Sequence, residues 1–263
     1  MKPASRRYRI LGRARIVAAA AAFAVSAILL AATVSEKETV EKFFKALDKK
    51  DSASASALLH PEATIAKLGE EKPFAAGSAG VLDAFLGRFQ EFPKWSMKLA
   101  ERTASGPWVA ARERVTLESG EKPREALYLF QVREGKIRRV WSMQGDGEGG
   151  GEGAAALVVE KWNEHDLPRF IGLFEGGAAL LELPSGERLA AGEDDLRDRF
   201  EKSFVEGTPR IEVIERMSLS PWAIYRSRGA MEPDSPAGEA LTVFESRGGL
   251  VRRVWYLRSG PAL

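Results

Sequence analysis

The chain reads as an α+β protein of two tandem domains, each a curved antiparallel sheet with helices on one face. Two observations predict this and a third adds a leader. The stretch Glu101–Trp141 recurs without a gap as Glu215–Trp255, an offset of 114 positions. In each copy the hydrophobic pattern runs helix, helix, strand, helix and then several strands, the order of a helix-backed sheet. Ahead of both lies an uncharged run from Ile16 to Val34 behind a basic N-terminus.

The duplication rests on identities at structurally demanding residues. They include Pro107/Pro221, Trp108/Trp222, Arg112/Arg226, Arg114/Arg228, Phe130/Phe244 and the run Arg138-Arg139-Val140-Trp141, which returns as Arg252-Arg253-Val254-Trp255. Upstream the offset becomes 115 and pairs Asp51/Asp166, Leu58/Leu173 and Ala75-Ala76-Gly77/Ala190-Ala191-Gly192. A repeat of this length is one folding unit used twice. The expected division is a leader at 1–35, a first domain at 36–143, a Gly-rich linker at 144–153 and a second domain at 154–259.

In the first copy Glu38–Lys49 places Val40, Phe43, Phe44 and Leu47 on one helical face. Ser52–Leu59 is a shorter helix that stops before Pro61, which puts His60 at a helix end. Ala63–Leu68 is a strand, and Ala79–Gln90 a helix. Four strands follow at Ser96–Thr103, Trp108–Leu117, Glu125–Val132 and Lys136–Met143, separated by Gly-containing turns. The second copy repeats the plan: helices at Ala154–Glu164 and Leu167–Leu173, a strand at Ala179–Leu183, a helix at Glu193–Phe204, then strands at Ile211–Leu219, Trp222–Gly229, Ala240–Ser246 and Leu250–Leu257.

Composition narrows the function. Of 39 Lys and Arg residues, six lie within residues 1–15, which leaves 33 basic against 37 acidic residues in the rest. A slightly acidic body lacks the basic footprint of a nucleic-acid binder. The chain has no cysteine, so disulfides, thiolate metal sites and a cysteine nucleophile are excluded. The two histidines, His60 and His165, are not at equivalent positions, and no spacing assembles a metal site. No metal and no cofactor is expected. The Gly-rich stretch Gly145–Gly153 contains acids and no lysine, which fits a flexible linker and not a phosphate loop.

The leader has two readings. At about 1.5 Å per residue, residues 16–34 would span roughly 28 Å, close to the hydrocarbon thickness. The preceding basic residues favour the cytoplasmic side, so the rest of the chain would be exported. Nine of the 19 residues are Ala, which suits a cleaved signal peptide. The poor small-x-small pattern near Ser35 favours an uncleaved anchor. The domains are thus expected beyond a bacterial inner membrane, anchored through residues 16–34 or released.

These element orders and four stretches resemble the nuclear transport factor 2-like superfamily, which includes ketosteroid isomerases and SnoaL-like polyketide cyclases. The stretches are Phe44–Ile65, Gly135–Trp141 and, in the second copy, His165-Asp166-Leu167 with Gly248–Trp255. The resemblance implies a cone that encloses a pocket, and domains that pair through their sheets. A tandem pair would make that contact within one chain, as an intramolecular pseudo-dimer. The isomerases' general-base position falls on Lys67 and Glu182, and their oxyanion-donor position on Phe43 and Val158. Neither Phe nor Val donates a hydrogen bond to a developing oxyanion, so Glu182 is the one catalytic candidate.

Binding candidates come from even spacing along strands. Trp108, Arg112 and Arg114 share one strand face, as do Trp222, Arg226 and Arg228. With Tyr128, Trp141 and Trp255 they would suit a flat or anionic ligand. The alternative is that the Trp residues pack in a sheet–sheet contact while the Arg stems cover the outer face. Arg138-Arg139 reads as a solvated pair facing Glu125 across the sheet. The function expected is a non-catalytic role in small-ligand binding, as an assembly scaffold or as a partner in a membrane complex. The alternative is a SnoaL-like isomerase, cyclase or dehydratase with the second copy active.

Overall fold

A computed structural model describes residues 35–87, 90, 92, 94–117, 122–145, 151–204, 210–229 and 238–257. Residues 1–34 of the expected leader at 1–35 lie outside them. Among the described residues no helix is long and apolar enough to cross a membrane.

The first repeat runs α1 (Glu36–Asp48), α2 (Ser52–Ala57), β1 (Leu59–Lys67), β2 (Ala75–Ala76), α3 (Gly77–Leu86), β3 (Ser96–Ser105), β4 (Trp108–Thr116), β5 (Arg124–Arg133) and β6 (Lys136–Gln144). The second runs α4 (Gly151–Asn163), α5 (Leu167–Ile171), β7 (Phe174–Leu183), β8 (Arg188–Ala191), α6 (Gly192–Glu201), a 3-10 turn at Lys202–Phe204, then β9 (Glu212–Leu219), β10 (Trp222–Gly229), β11 (Gly238–Arg247) and β12 (Leu250–Leu257).

Each repeat forms one six-stranded sheet, ordered β2-β1-β6-β5-β4-β3 and β8-β7-β12-β11-β10-β9. The sheets are mixed and not purely antiparallel. β1 pairs with β6, and β7 with β12, in parallel. A helix and four further strands separate β1 from β6, a crossover long enough to bring the chain back in the same direction.

Local chemistry accounts for the ends of these elements. Asp51 caps α2 by accepting a bond from the Ser54 amide at 3.0 Å, and Asp166 caps α5 from the Arg169 amide at 3.1 Å. The two caps are equivalent residues, so the helix-linking Asp is a shared fold device. β1 begins earlier than the expected Ala63 and takes in Pro61. His60 is therefore a strand residue and not a helix end; its Nδ1 accepts from the Glu62 amide at 3.2 Å. α4 starts at Gly151, inside the stretch expected to be linker. A Cβ on Gly151 would sit 2.8 Å from the Pro221 carbonyl, so only glycine lets the helix approach that turn.

Three apolar clusters form. One lies between α1, α3 and the inner face of the first sheet, around Phe43, Phe44, Phe85, Tyr128 and Phe130. A second fills the same place in the second repeat, around Trp162, Phe170, Phe200 and Phe244. The third draws on both repeats. It joins Trp108, Leu127, Leu129, Trp141 and Met143 to Trp222, Leu241, Val243, Trp255 and Leu257, all on the sheet faces turned away from the helices. These are the same five positions of each copy, a self-complementary patch of the kind that closes a twofold contact. β3 lies against β9, β10 and β11. Hydrogen bonds also cross between the repeats. Ser105 Oγ donates to the Glu239 carbonyl at 2.9 Å, and Trp222 Nε1 to the Gln144 carbonyl at 3.0 Å.

Truncating a buried aromatic costs about 3–5 kcal/mol when the site cannot collapse. Trp108→Ala and Trp222→Ala are each expected to lower unfolding free energy by about that amount, measured by urea titration. A loss under about 1 kcal/mol for either would mean that its side chain is not packed between the sheets.

Candidate functional site

The repeats place equivalent side chains in equivalent surroundings. Trp108 lies against Trp141, with ring centroids 5.6 Å apart and planes at 42°. Trp222 lies against Trp255 at 5.8 Å and 44°. All four are buried, with Trp108 1% and Trp255 2% exposed. Tyr128 is also buried, on the opposite face of its sheet, 5.1 Å from the Phe85 ring. The tryptophans and Tyr128 therefore do not share a cavity.

Arg112 and Arg226 sit at the rim of the same outer faces, each inside an ion cluster. Arg112 reaches Glu125 at 2.5 Å and Glu101 at 3.3 Å, while Arg114 reaches Glu125 at 2.8 Å. In the second repeat Arg226 reaches Glu239 at 2.7 Å and Glu215 at 3.0 Å, and Arg228 reaches Glu239 at 3.1 Å. Arg112, Arg114, Glu125 and Glu101 are the repeat equivalents of Arg226, Arg228, Glu239 and Glu215, and the second cluster adds Glu212, 3.5 Å from Arg228. Glu125 thus belongs to Arg112 and Arg114. The residue across the sheet from Arg139 is Gln131, not Glu125 as expected.

Electrostatics follow this geometry. Burial works against the Glu125 charge, yet hydrogen bonds from Arg112 and Arg114 hold its carboxyl below the usual carboxylate range. Arg228 and then Arg226 do the same for Glu239. Thr103, across the repeat boundary, and Arg226 hold Glu215 down.

Glu182 is half-buried near the end of β7, on the side of the strand that faces the helices. Its amide donates to the Glu187 carbonyl, and its carbonyl accepts from the Gly186 amide, both at 2.8 Å, so it heads the Pro184–Glu187 turn. Tyr256 is its register partner on β12. Lys67, at the equivalent end of β1, is exposed and pairs with Glu70 at 3.3 Å. Phe43 and Val158, at the oxyanion-donor positions, are core residues.

The interiors of the cones are filled. Rings of Phe43, Phe44, Phe85, Tyr128 and Phe130 stack edge to face or tilted across the first, with centroids 5.1 to 6.3 Å apart. The second holds a cavity of about 10 Å³, bordered by Trp162, Tyr225, Ser227 and Thr242. That is at the threshold for a single water molecule. Among the described residues no three His, Asp or Glu side chains converge as a metal site.

The larger concavity lies between the repeats, a cleft of about 1060 Å³. β1, β6 and the turn at Gly69–Pro73 supply one wall, and β7, the Pro184–Gly186 turn, Arg188 and Arg253 the other. Trp141 and Trp255 both border it, so it joins two of the expected ligand residues. Gly69 closes the floor: its φ is +89°, and a Cβ there would collide with the Arg253 guanidinium. Sequence reasoning missed Gln131, Arg139, Arg188 and Arg253 as cleft residues. The signal was present as Gln131 aligned with Glu245, while the facing Arg139 and Arg253 are identical.

Residues 40–140 match the family model described as a SnoaL-like domain. No curated relative matches the chain. Among solved structures, an uncharacterized cystatin fold protein from Novosphingobium aromaticivorans is 19% identical, at a TM-score of 0.38, over 43% of this chain and 100% of that one. An NTF2-like protein from Cytophaga hutchinsonii is 15% identical at 0.34, over 42% and 90%. An LEH-like epoxide hydrolase from M. tuberculosis is 20% identical at 0.33, over 41% and 80%. The first repeat, over residues 40–140, is thus similar to a SnoaL-like domain. The second half repeats its elements in the same order and forms an equivalent sheet, which fits two tandem copies of one fold.

The carboxyls of Glu125 and Glu239 have folded-state pKa values below their ordinary value of 4.5. The stability they contribute is complete above that value and is lost as pH falls through the depressed folded values. Melting temperature is therefore expected to drop on acidification below pH 4.5. The double variant Glu125→Gln/Glu239→Gln should show a shallower drop in thermal melts between about pH 3 and 6.

Proposed function

We propose that this protein is a non-catalytic tandem SnoaL-like protein. Its two repeats act as an intramolecular pseudo-dimer, and it works by binding at its surface and inter-repeat cleft. The observation that carries this reading is the packing of both cones. Catalysis in such a fold needs room beside an acid or base, and the interior side chains leave about 10 Å³ in one repeat. The side chains at the oxyanion-donor positions, Phe43 and Val158, cannot donate a hydrogen bond.

The binding role takes one of two forms, capture of a small ligand or service as an assembly surface for a protein partner. We propose further that the uncharged run 16–34 carries the tandem domains out of the cytoplasm and anchors them on the far side of the membrane, with the basic residues of 1–15 retained inside. Protease added to intact spheroplasts should then degrade the tandem domains, and their protection would remove the export proposal.

A second reading rests on Glu182. It is half-buried on the helix-facing side and has Tyr256, a hydroxyl-bearing residue, as its neighbour in register. That pair is the arrangement a proton-transferring isomerase of the second repeat would use.

An assay of proton transfer in a β,γ-unsaturated ketone, followed by the absorbance of the conjugated product, separates the two. The expected result is the same background rate for the wild-type chain and Glu182→Gln. Turnover by the wild type that falls at least about a hundredfold in Glu182→Gln, the usual contribution of a general base, would replace the first reading by the second.

A further inference from the structure

The two repeats treat one arginine differently. Arg253 on β12 lies opposite Glu245 on β11, and Arg139 on β6 lies opposite Gln131 on β5. The four residues occupy matching positions of the duplication. In the second repeat the side-on fork of Arg253, Nε with Nη2, grips the Glu245 carboxylate, the Nη2 bond measuring 3.0 Å. The Arg253 guanidinium also lies over the Trp255 ring, 5.2 Å from its centroid. In the first repeat the acid is replaced by an amide. Arg139 uses only Nη1, which donates to the Pro184 carbonyl of the other repeat at 3.2 Å. Its Nε and Nη2 have no partner among the described residues.

Arg139 and Gln131 both border the inter-repeat cleft. Arg133 and Arg188 border it too, and neither has a carboxylate partner among the described residues. The acids of the cleft lie on β1 and the turn after it, where Lys67 holds Glu70. The lining is mixed: Thr64, Gln131 and Ser185 share it with the apolar Ala66, Leu181, Leu183 and Trp141. The cavity volume is at the upper end of the range for ligand sites. A guanidinium fork matches a carboxylate with two parallel bonds, and the second repeat displays that match with its own Glu245.

We infer that the inter-repeat cleft binds a small organic carboxylate, with its head on the Nε–Nη2 fork of Arg139 and its apolar body over Ala66, Leu181 and Leu183. The carboxylate gives Arg139 the two-point acceptor that Glu245 gives Arg253 and that the amide of Gln131 does not supply. Arg133 and Arg188 raise the local anion concentration. This rests on the proposed binding role and gives it a site and a ligand class.

Calorimetric titration of the full chain with 2-naphthoate tests it, with naphthalene-2-methanol as the neutral counterpart and inorganic phosphate as the anion without an apolar body. One naphthoate per chain is expected, with the alcohol and phosphate at least tenfold weaker. Arg139→Gln should weaken naphthoate about tenfold. Gln131→Glu should remove binding, because it supplies Arg139 with an internal acid. That variant copies an arrangement the second repeat already folds with, and its thermal melt verifies the fold. Glu245→Gln, the converse change, should raise the stoichiometry towards two.

Phosphate as tight as naphthoate would overturn the inference, since the apolar floor would then be idle. So would naphthoate binding unaffected by Gln131→Glu and Arg139→Gln. If that insensitive binding is instead lost in Thr242→Leu, which fills the cavity of the second repeat, the ligand enters the cone and the proposed function falls as well. If naphthoate does not bind the wild type, the inference alone falls.

Discussion

Everything in this molecule is arranged around the burial of two sheet faces against each other. In a lone helix-backed sheet the outer face meets water and carries polar side chains in alternation with the core positions. Here Trp108, Trp141, Trp222 and Trp255 stand on those outer faces and are buried. Each tryptophan removes roughly 150–250 Å² from water, a gross transfer term of about 4–6 kcal/mol at 25 cal/mol per Å². The Arg–Glu clusters at the rim are partly exposed, and such pairs contribute about 0–1 kcal/mol each. The aromatic contact therefore dominates the energetics, and the ion clusters fix register and keep the rim wet.

That contact also explains the fate of the cones. Sheets that meet through their outer faces leave the inner faces to the helices alone. In the first repeat α1 and α3 bring in Phe43, Phe44 and Phe85, which meet Tyr128 and Phe130 from the sheet. Five rings at T-shaped and tilted spacings fill the space that a ligand would need. In the second repeat Trp162 does the work of several phenylalanines, and Val158 and Thr242 stand where the first has Phe43 and Tyr128. The smaller side chains leave the one small gap there. The difference between the repeats lies in interior volume and not in topology.

Much of this was legible in the sequence. The duplication, the order of elements and the helix-capping Asp51 and Asp166 follow from spacing and local chemistry, which act over a few residues. The parallel pairing of β1 with β6 was not legible, because pattern reports which residues face inward and not which strand lies alongside. The early start of β1 was hidden by Pro61, which argued for a break but sits in the segment between Leu59 and Thr64 where the pairing register shifts. The sheet–sheet contact had a signal. Trp222–Tyr225 and Ala126–Phe130 are apolar without alternation, the mark of strands covered on both faces. The cleft had a weaker one, since its walls come from segments more than a hundred residues apart. Only the mismatch of Gln131 with Glu245 hinted that two matching arginines would have different surroundings.

Duplication inside one chain removes a constraint that two identical subunits obey. In a symmetric dimer every residue at the interface appears twice, so an unpaired cation on one side is unpaired on the other. A covalent tandem can keep the apolar positions that close the contact and alter the polar ones singly. This chain does both: Trp, Leu and aliphatic residues recur at the shared face, while Gln131 stands against Glu245. A buried arginine–carboxylate pair is costly to form and costlier to break by removing one partner. Losing the acid opposite Arg139 is tolerable only where the guanidinium still reaches water or another acceptor. The cleft supplies the water and Pro184 the acceptor. The asymmetry thus falls at the place where the pair of sheets opens, and an open, singly bonded guanidinium there is a group that a ligand reaches without first breaking an internal ion pair.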